Sequence, residues 1–345
     1  GQDYLPNTTE TDIDGNVKEV IPDPNANYDG EVSYITQLSD VIVQNVGSGY
    51  EQGDSAIVEG GKISALVGES GSGKSLTALA AIRLLSNNLE FIKGRIEFDN
   101  VNIAELSERE MSSLRGRQIS MIFQEPVGSL NPLVPVGVQV AESLVVLGIV
   151  RGKRAFSKAI EFMERVGIPQ PEIRAKQLPY ELSGGMCQRA MIASALVSKP
   201  KLLIADEPTT ALDVTVQAQI LQLLSELSSE LGLSVLLITH DMGVVAEIAD
   251  DVSVMYGGRV VERGSVENIF ALPHHPYTQM LLQTLPRVDR PRKEELFTIS
   301  GSVPSPGDQR SGCRFSPRCD RAVDNCKERP VLLPGVDGAA CFFPL

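Results

Sequence analysis

Gly68-Glu69-Ser70-Gly71-Ser72-Gly73-Lys74-Ser75 satisfies the pattern G-x-x-x-x-G-K-[ST] in full. Glycines in these places let the backbone curl until several N–H groups face one point, where phosphate oxygens can be held. The apolar run Ile63–Val67 leads into the pattern and a helical run starts at Leu76. A helix N-terminus adds a dipole that favours an anion. In such a cradle Lys74 meets the β- and γ-phosphates of a nucleotide and Ser75 holds Mg²⁺. A plain glycine-rich turn with a surface lysine would not need the strand before it or the helix after it.

A second element supplies carboxylates. The apolar run from Lys201 to Ala205 ends in Asp206 and Glu207. Alone, such a pair before Pro208 could simply open a helix. Beside a phosphate cradle, Asp206 reaches Mg²⁺ through its water shell and Glu207 polarises an attacking water. Phosphoryl transfer needs that orientation and charge neutralisation more than covalent help.

A third group is soft. Cys313, Cys319, Cys326 and Cys341 crowd the end of the chain, whereas the fifth cysteine, Cys187, stands apart. Thiolates suit iron–sulfur or zinc better than hard cations. No pair has the close C-x2–4-C spacing of structural zinc sites. Plain thiols or a disulfide remain open.

These groups need a scaffold. Val41–Val46, Ile63–Val67, Arg95–Phe98, Ile119–Phe123, Lys201–Ala205, Val235–Thr239 and Val252–Tyr256 read as strands, several apolar without alternation, as in sheets buried on both faces. Val216, Ile220, Leu223, Leu227 and Leu231 recur at helical spacing, with Gly232 to close the helix. The expected architecture is α/β over 38–262, with a helical insertion at about 125–197. After it, 263–345 is a small, proline-broken, loop-rich region. Residues 1–37 form an acidic, flexible extension; the first 35 residues hold eight acids and one lysine.

Composition bounds the function. Hydrophobic residues make up 42% and charged residues 22% of 345 residues, an ordinary globular balance. The net charge of -13 repels nucleic-acid phosphates, so no nucleic-acid partner is expected. No apolar run reaches the roughly 18 residues of a membrane span. The polar N-terminus shows no signal-peptide h-region.

One family collects these motifs. Leu182-Ser183-Gly184-Gly185-Met186-Cys187-Gln188-Arg189 resembles the LSGGQ signature of ABC ATPases, and the resemblance covers about residues 40–345. It implies a P-loop NTPase core that hydrolyses ATP with Mg²⁺. Nucleotide contacts then come from Gly68 through Leu76, Gln124, Asp206, Ser183, Gly184, Gly185 and Asp213, with Ser75, Gln124 and Asp206 serving Mg²⁺. Gln124 resembles the Q-loop glutamine, Ala211-Leu212-Asp213 the D-loop, and His240 the switch histidine at the γ-phosphate. Glu207, His240 and Gln124 are the implied catalytic set. In the family, the signature of one cassette closes on ATP held by another. Ser183 and the Gly184 and Gly185 N–H groups, opening a helix to about Val197, suit that role. An aromatic that stacks on adenine is expected before the cradle, and Tyr50 is the candidate.

The finer resemblance is to ATPases of oligopeptide, dipeptide and nickel importers. It rests on Phe123 to Pro132, Asp206 to Gln219, and His275-Pro276-Tyr277-Thr278. Gly185-Met186 and Thr209-Thr210 resemble the first of two non-identical ATPases. The implied partners are therefore a second, non-identical ATPase, two transmembrane permease subunits and an extracytoplasmic binding protein. The implied place is the cytoplasmic face of the membrane. The tail cysteines resemble those of relatives that hold a 4Fe-4S cluster. Cys187 departs from the usual basic or polar residue, which a small neutral side chain should satisfy. A soluble ABC ATPase of DNA repair or translation is disfavoured by the single cassette, the lack of a coiled-coil insertion and the acidic charge. A degenerate scaffold is disfavoured by intact Lys74, Glu207 and His240. Nickel and glycan cargo remain open beside peptides.

Overall fold

The computed structural model describes residues 8–11, 17–20, 41–44, 55–58, 60–86, 95–210, 212–285, 297–304, 312–332 and 337–345. Tyr50 and Ala211 lie outside them. The chain divides into two units, Gly1–Val32 and Ser33–Leu345. In the first, strand β1 (Thr8–Thr11) pairs antiparallel with β2 (Val17–Val20) within the acidic extension.

The second unit holds β3 (Val41–Gln44), β4 (Ser55–Val58), β5 (Ile63–Val67), β6 (Ile96–Phe98), β7 (Val101–Asn102), β8 (Ile119–Ile122), β9 (Leu202–Asp206), β10 (Ser234–Thr239), β11 (Asp251–Tyr256), β12 (Arg259–Ser265) and β13 (Gly338–Ala339). Its helices are α1 (Lys74–Ala81), α2 (Glu108–Leu114), α3 (Pro126–Ser129), α4 (Val136–Val146), α5 (Lys153–Arg165), α6 (Pro171–Arg174), α7 (Gly184–Leu196), α8 (Val214–Leu231), α9 (Met242–Ile248), α10 (Val266–Ala271) and α11 (Pro276–Gln283).

The main sheet runs β13-β12-β11-β5-β10-β9-β8, and the small antiparallel sheet runs β4-β3-β6-β7. From β11 to β8 the strands are parallel. Every residue of β5, β9 and β10 is buried, which is why their sequences are apolar without alternation. Ile238 pairs with Asp206 and Thr239 with Val67, so the carboxylate strand, the cradle strand and the strand before His240 end at one level. Ligands in parallel α/β sheets gather beyond such strand ends.

Helices α3 to α7 fill the expected insertion. Val140, Leu144, Met163, Ile192 and Leu196 share one buried cluster with Leu203 and Leu237 of the sheet. Of the apolar run Leu144–Val150, Leu144 is buried while Val146 is exposed. Asp213 caps α8 by accepting the Val216 N–H at 3.0 Å, and Gly232, at φ 61°, closes it.

The last third is not packed apart from the sheet. Tyr277, Leu281 and Phe315 are buried with Val67, Val252, Val254 and Tyr256. Strand β12 runs across the expected junction at residue 262. Its acidic Glu262 is buried and accepts the N–H groups of His274 and His275.

Candidate functional site

The cradle is shaped by close approach. A Cβ on Gly68 would stand 2.1 Å from the Met255 carbonyl oxygen, so glycine is required there. Gly71 and Gly73 hold φ of 82° and 105°, left-handed values that turn the loop into α1. Ser72 is fully buried and its Oγ has no hydrogen-bond partner. That orphan oxygen lies beside Gly68, inside the loop, and is a buried polar group left for a ligand to satisfy.

Lys74 Nζ donates to the carbonyls of Gly68 at 2.8 Å and Glu69 at 3.1 Å. Burial lowers its pKa, and Glu207, Asp206 and Glu69 oppose that drop. A buried cation resting on loop carbonyls is ready to exchange them for phosphate oxygens. Ser75 Oγ donates to Asp206 Oδ1 at 3.0 Å. A hydroxyl and a carboxylate side by side are the hard oxygen donors that fit Mg²⁺. Burial raises the Asp206 pKa, with Glu207 adding to it and the Ser75 hydrogen bond opposing it.

Glu207 gathers the remaining expected residues. His240 Nδ1 lies 3.0 Å from Oε1, while Gln124 Nε2 and Thr210 Oγ1 donate to Oε2 at 3.1 and 2.9 Å. Burial pushes the carboxyl's pKa up, but the hydrogen bonds with His240 and Thr210, with Lys74 nearby, bring it below the usual value. Glu207 also holds a positive φ of 46°, and its N–H donates to the Ile238 carbonyl. A left-handed glutamate is strained by about 1 kcal/mol or more and persists only where its surroundings fix it. Gln124, Glu207 and His240 thus meet around one ionised carboxylate that can accept a proton from, or orient, a water at the cradle's open side.

Ser183 and Gly184 are exposed, and the Ser183 Oγ accepts the Met186 N–H at 3.3 Å as the cap of α7. Asp213 is likewise exposed and occupied as a helix cap. Neither is drawn to this chain's own cradle. Cys187 is buried, its Sγ facing the Pro179 carbonyl at 3.4 Å, which explains why a small neutral residue is tolerated.

The four tail cysteines do not form a ready metal site. Among the described residues no group of three or more His, Cys, Asp or Glu could hold a metal ion. The ligand set expected from Cys313, Cys319, Cys326 and Cys341 is therefore not preformed. Burial raises the thiol pKa of Cys313 and Cys319, which favours the protonated, non-ligating form.

Several residues are given no individual role by the sequence, and Arg318 stands outside every motif. Gln188 donates to the Pro208 carbonyl and ties the signature helix to the residue after Glu207. Tyr277 accepts the Glu69 N–H at 2.9 Å. Arg318 grips the Glu69 carboxylate with both terminal nitrogens, at 2.7 and 3.0 Å. Thr210 was visible only as part of a Thr-Thr step.

Comparison with known proteins agrees with this geometry. Residues 52–210 match the family described as ABC transporter, and residues 261–326 match the oligopeptide/dipeptide transporter C-terminal region. The chain is 47% identical to the oligopeptide transport ATP-binding protein AppD of Bacillus subtilis, over 82% of this chain and 87% of that one. It is 45% identical to the dipeptide transport ATP-binding protein DppD of Escherichia coli, over 84% and 89%. Among solved structures, the dimeric post-hydrolysis state of the ATP-binding cassette MJ0796, bound to ADP and Pi, is 28% identical with a TM-score of 0.58, over 66% of this chain and 98% of that one.

Proposed function

The chain belongs to the ABC transporter ATPases, in the branch with the oligopeptide/dipeptide C-terminal region, and from that we propose that it hydrolyses MgATP to power import of short peptides. The observation that carries the catalytic half is the Glu207 carboxylate held by His240, Gln124 and Thr210 beside Lys74, Ser75 and Asp206. Lys74 and the loop N–H groups bind the triphosphate, and Glu207 orients water toward its γ-phosphate. Ser75, Asp206 and Gln124 would hold Mg²⁺, which would supply neutralisation of phosphate charge.

The cargo half rests on the names of the relatives. It is tested by reconstituting the chain with its permease subunits in vesicles. Peptide uptake that requires ATP is the expected result; uptake of nickel or a glycan but not peptide would overturn the peptide assignment.

In this reading the chain sits at the cytoplasmic face through two permease subunits, fed by an extracytoplasmic binding protein. Among the described residues no helix is long and apolar enough to cross a membrane. Leu133 and Val146, exposed on and beside α4, are apolar side chains of the kind a membrane subunit would cover. Exposed Ser183 and Gly184 support pairing with a second cassette, here taken to be a non-identical chain. Co-purification settles this: a second ATPase sequence supports the non-identical pair, and two copies of this chain refute it.

We retain a 4Fe-4S cluster on Cys313, Cys319, Cys326 and Cys341 as a second reading. What supports it is that the Cys313 N–H donates to the Cys326 carbonyl at 2.9 Å, which brings two of the four residues together. Small rearrangement on metal binding is expected of such sites. Anaerobically purified protein should then be brown with about four irons per chain. Colourless protein, or stoichiometric zinc, refutes it.

A further inference from the structure

Glu69 is the only acidic residue in the run Gly68–Ser75. A carboxylate there opposes the chemistry of the loop, which is to attract a polyanion. Its charge is felt at the Lys74 ammonium. Yet its side chain is only 27% exposed, and the guanidinium that faces it belongs to a side chain that is 6% exposed. That guanidinium is Arg318, 249 residues further along the chain.

The partner is held as firmly as the loop. Arg318 Nε donates to the Ser300 carbonyl at 2.8 Å and Nη2 to the Ile299 carbonyl at 3.2 Å. Its Nη1 also reaches the Tyr256 hydroxyl at 3.3 Å, and its plane lies over the Tyr256 ring at 5.6 Å. Tyr256 in turn packs edge-on against Tyr277 at 4.7 Å and Phe315 at 5.2 Å. Tyr277, through its hydroxyl, takes the backbone N–H of Glu69. Side chain and backbone of one cradle residue are therefore both fixed by the C-terminal region.

We propose that Arg318 is a positioning residue of the phosphate cradle, acting through Glu69: it cancels the cradle's own negative charge and fixes the loop's first turn before the triphosphate arrives. The inference rests on the reading of the cradle as the nucleotide site. Breaking a shielded pair on one side leaves the other charge uncompensated, here a carboxylate facing the incoming phosphates. Two bidentate nitrogens also restrict the loop in a way that a point charge does not.

The test is equilibrium binding of the non-hydrolysable analogue AMP-PNP, with Mg²⁺, to the full chain. Arg318→Met keeps the side chain's length over Tyr256 and removes the charge; it should weaken binding about tenfold. Arg318→Lys should lose less. Arg318→Met combined with Glu69→Gln should regain most of the loss, because the unpaired carboxylate is gone. Binding unchanged in Arg318→Met overturns the proposal. So does a double variant as weak as the single one, which would mean that Arg318 merely holds the tail. Should Arg318→Met fail to fold, Arg318→Gln takes its place in both arms. Lys74→Ala, measured alongside, separates the premises: if it fails to weaken binding, the nucleotide-site reading falls and the clamp with it. If Lys74→Ala weakens binding and Arg318→Met does not, the clamp alone falls.

Discussion

His240 Nδ1 stands 3.0 Å from Glu207 Oε1, although the two residues follow different strands, β10 and β9. The pairing follows from register: Ile238 lies beside Asp206, so the residues just past each strand end become neighbours. The second oxygen of Glu207 is shared by Gln124 and Thr210. A carboxylate so surrounded stays ionised and aimed.

Glu207→Gln should therefore keep MgATP binding and slow hydrolysis about 10²-fold or more, because it removes the acceptor while preserving shape. Single-turnover phosphate release in the assembled transporter is the measurement. Near-wild-type turnover would remove Glu207 from its role.

Gly68 and Gly71 should respond differently to alanine. At Gly68 the added carbon meets the Met255 carbonyl, an overpacking that costs about 1–3 kcal/mol and pushes the loop off its strand. At Gly71 the space is open, and only the left-handed φ of 82° is strained, at about 1 kcal/mol. Thermal unfolding of the two variants should rank Gly68→Ala below Gly71→Ala, and the reverse order would contradict the close-approach argument.

Asp213 has a structural duty that can be separated from any duty toward nucleotide. Asparagine caps helices as well as aspartate does, so Asp213→Asn should retain stability while Asp213→Ala loses about 1 kcal/mol. If both variants lose turnover equally while only the alanine loses stability, the carboxylate charge itself serves the site. If only the alanine loses turnover, the residue acts as a cap.

Acid should weaken the protein through His275. Burial pushes this imidazole down to about 4 from 6.5, and its ring accepts the Tyr277 N–H at 3.1 Å. Its folded pKa is depressed, so below 6.5 the unfolded chain binds a proton that the folded chain refuses. Stability is whole above that pH and falls progressively toward about pH 4, by about 3 kcal/mol from this group. His275→Asn keeps a cap acceptor and should flatten that limb of a stability-against-pH curve. An unchanged acid limb would assign the loss to other groups.

Strands that touch the site were legible because they are buried on both faces. Ile63–Val67 appears as expected, and the run from Lys201 is shifted by one residue to Leu202–Asp206. Strand β12 was missed for the opposite reason. Its sequence, with Arg259, Glu262 and Arg263, reads as a surface loop, yet all three are buried. Their partners lie outside the strand, such as His274 and His275 for Glu262 and, 53 residues on, the Gly312 carbonyl that accepts from Arg259 at 3.0 Å. Arg318 was invisible for the same reason: its meaning lies in a residue 249 positions away, which no local pattern encodes. The cysteines illustrate the converse, since a shared stretch of sequence did not place four thiols around one point.

Strand β13 is only Gly338–Ala339, but it lies along the outer side of β12, with Ala339 opposite Glu262 and the Ala340 N–H on the Val261 carbonyl at 2.8 Å. Bare sheet margins recruit strands from other molecules. Two residues of the tail thus cover the backbone of Glu262 and Arg263: a protease that nicked the chain ahead of Gly338 would loosen that cover, and with it Ala340 from its cluster with Val260 and Leu332, and present bare strand to a neighbouring molecule.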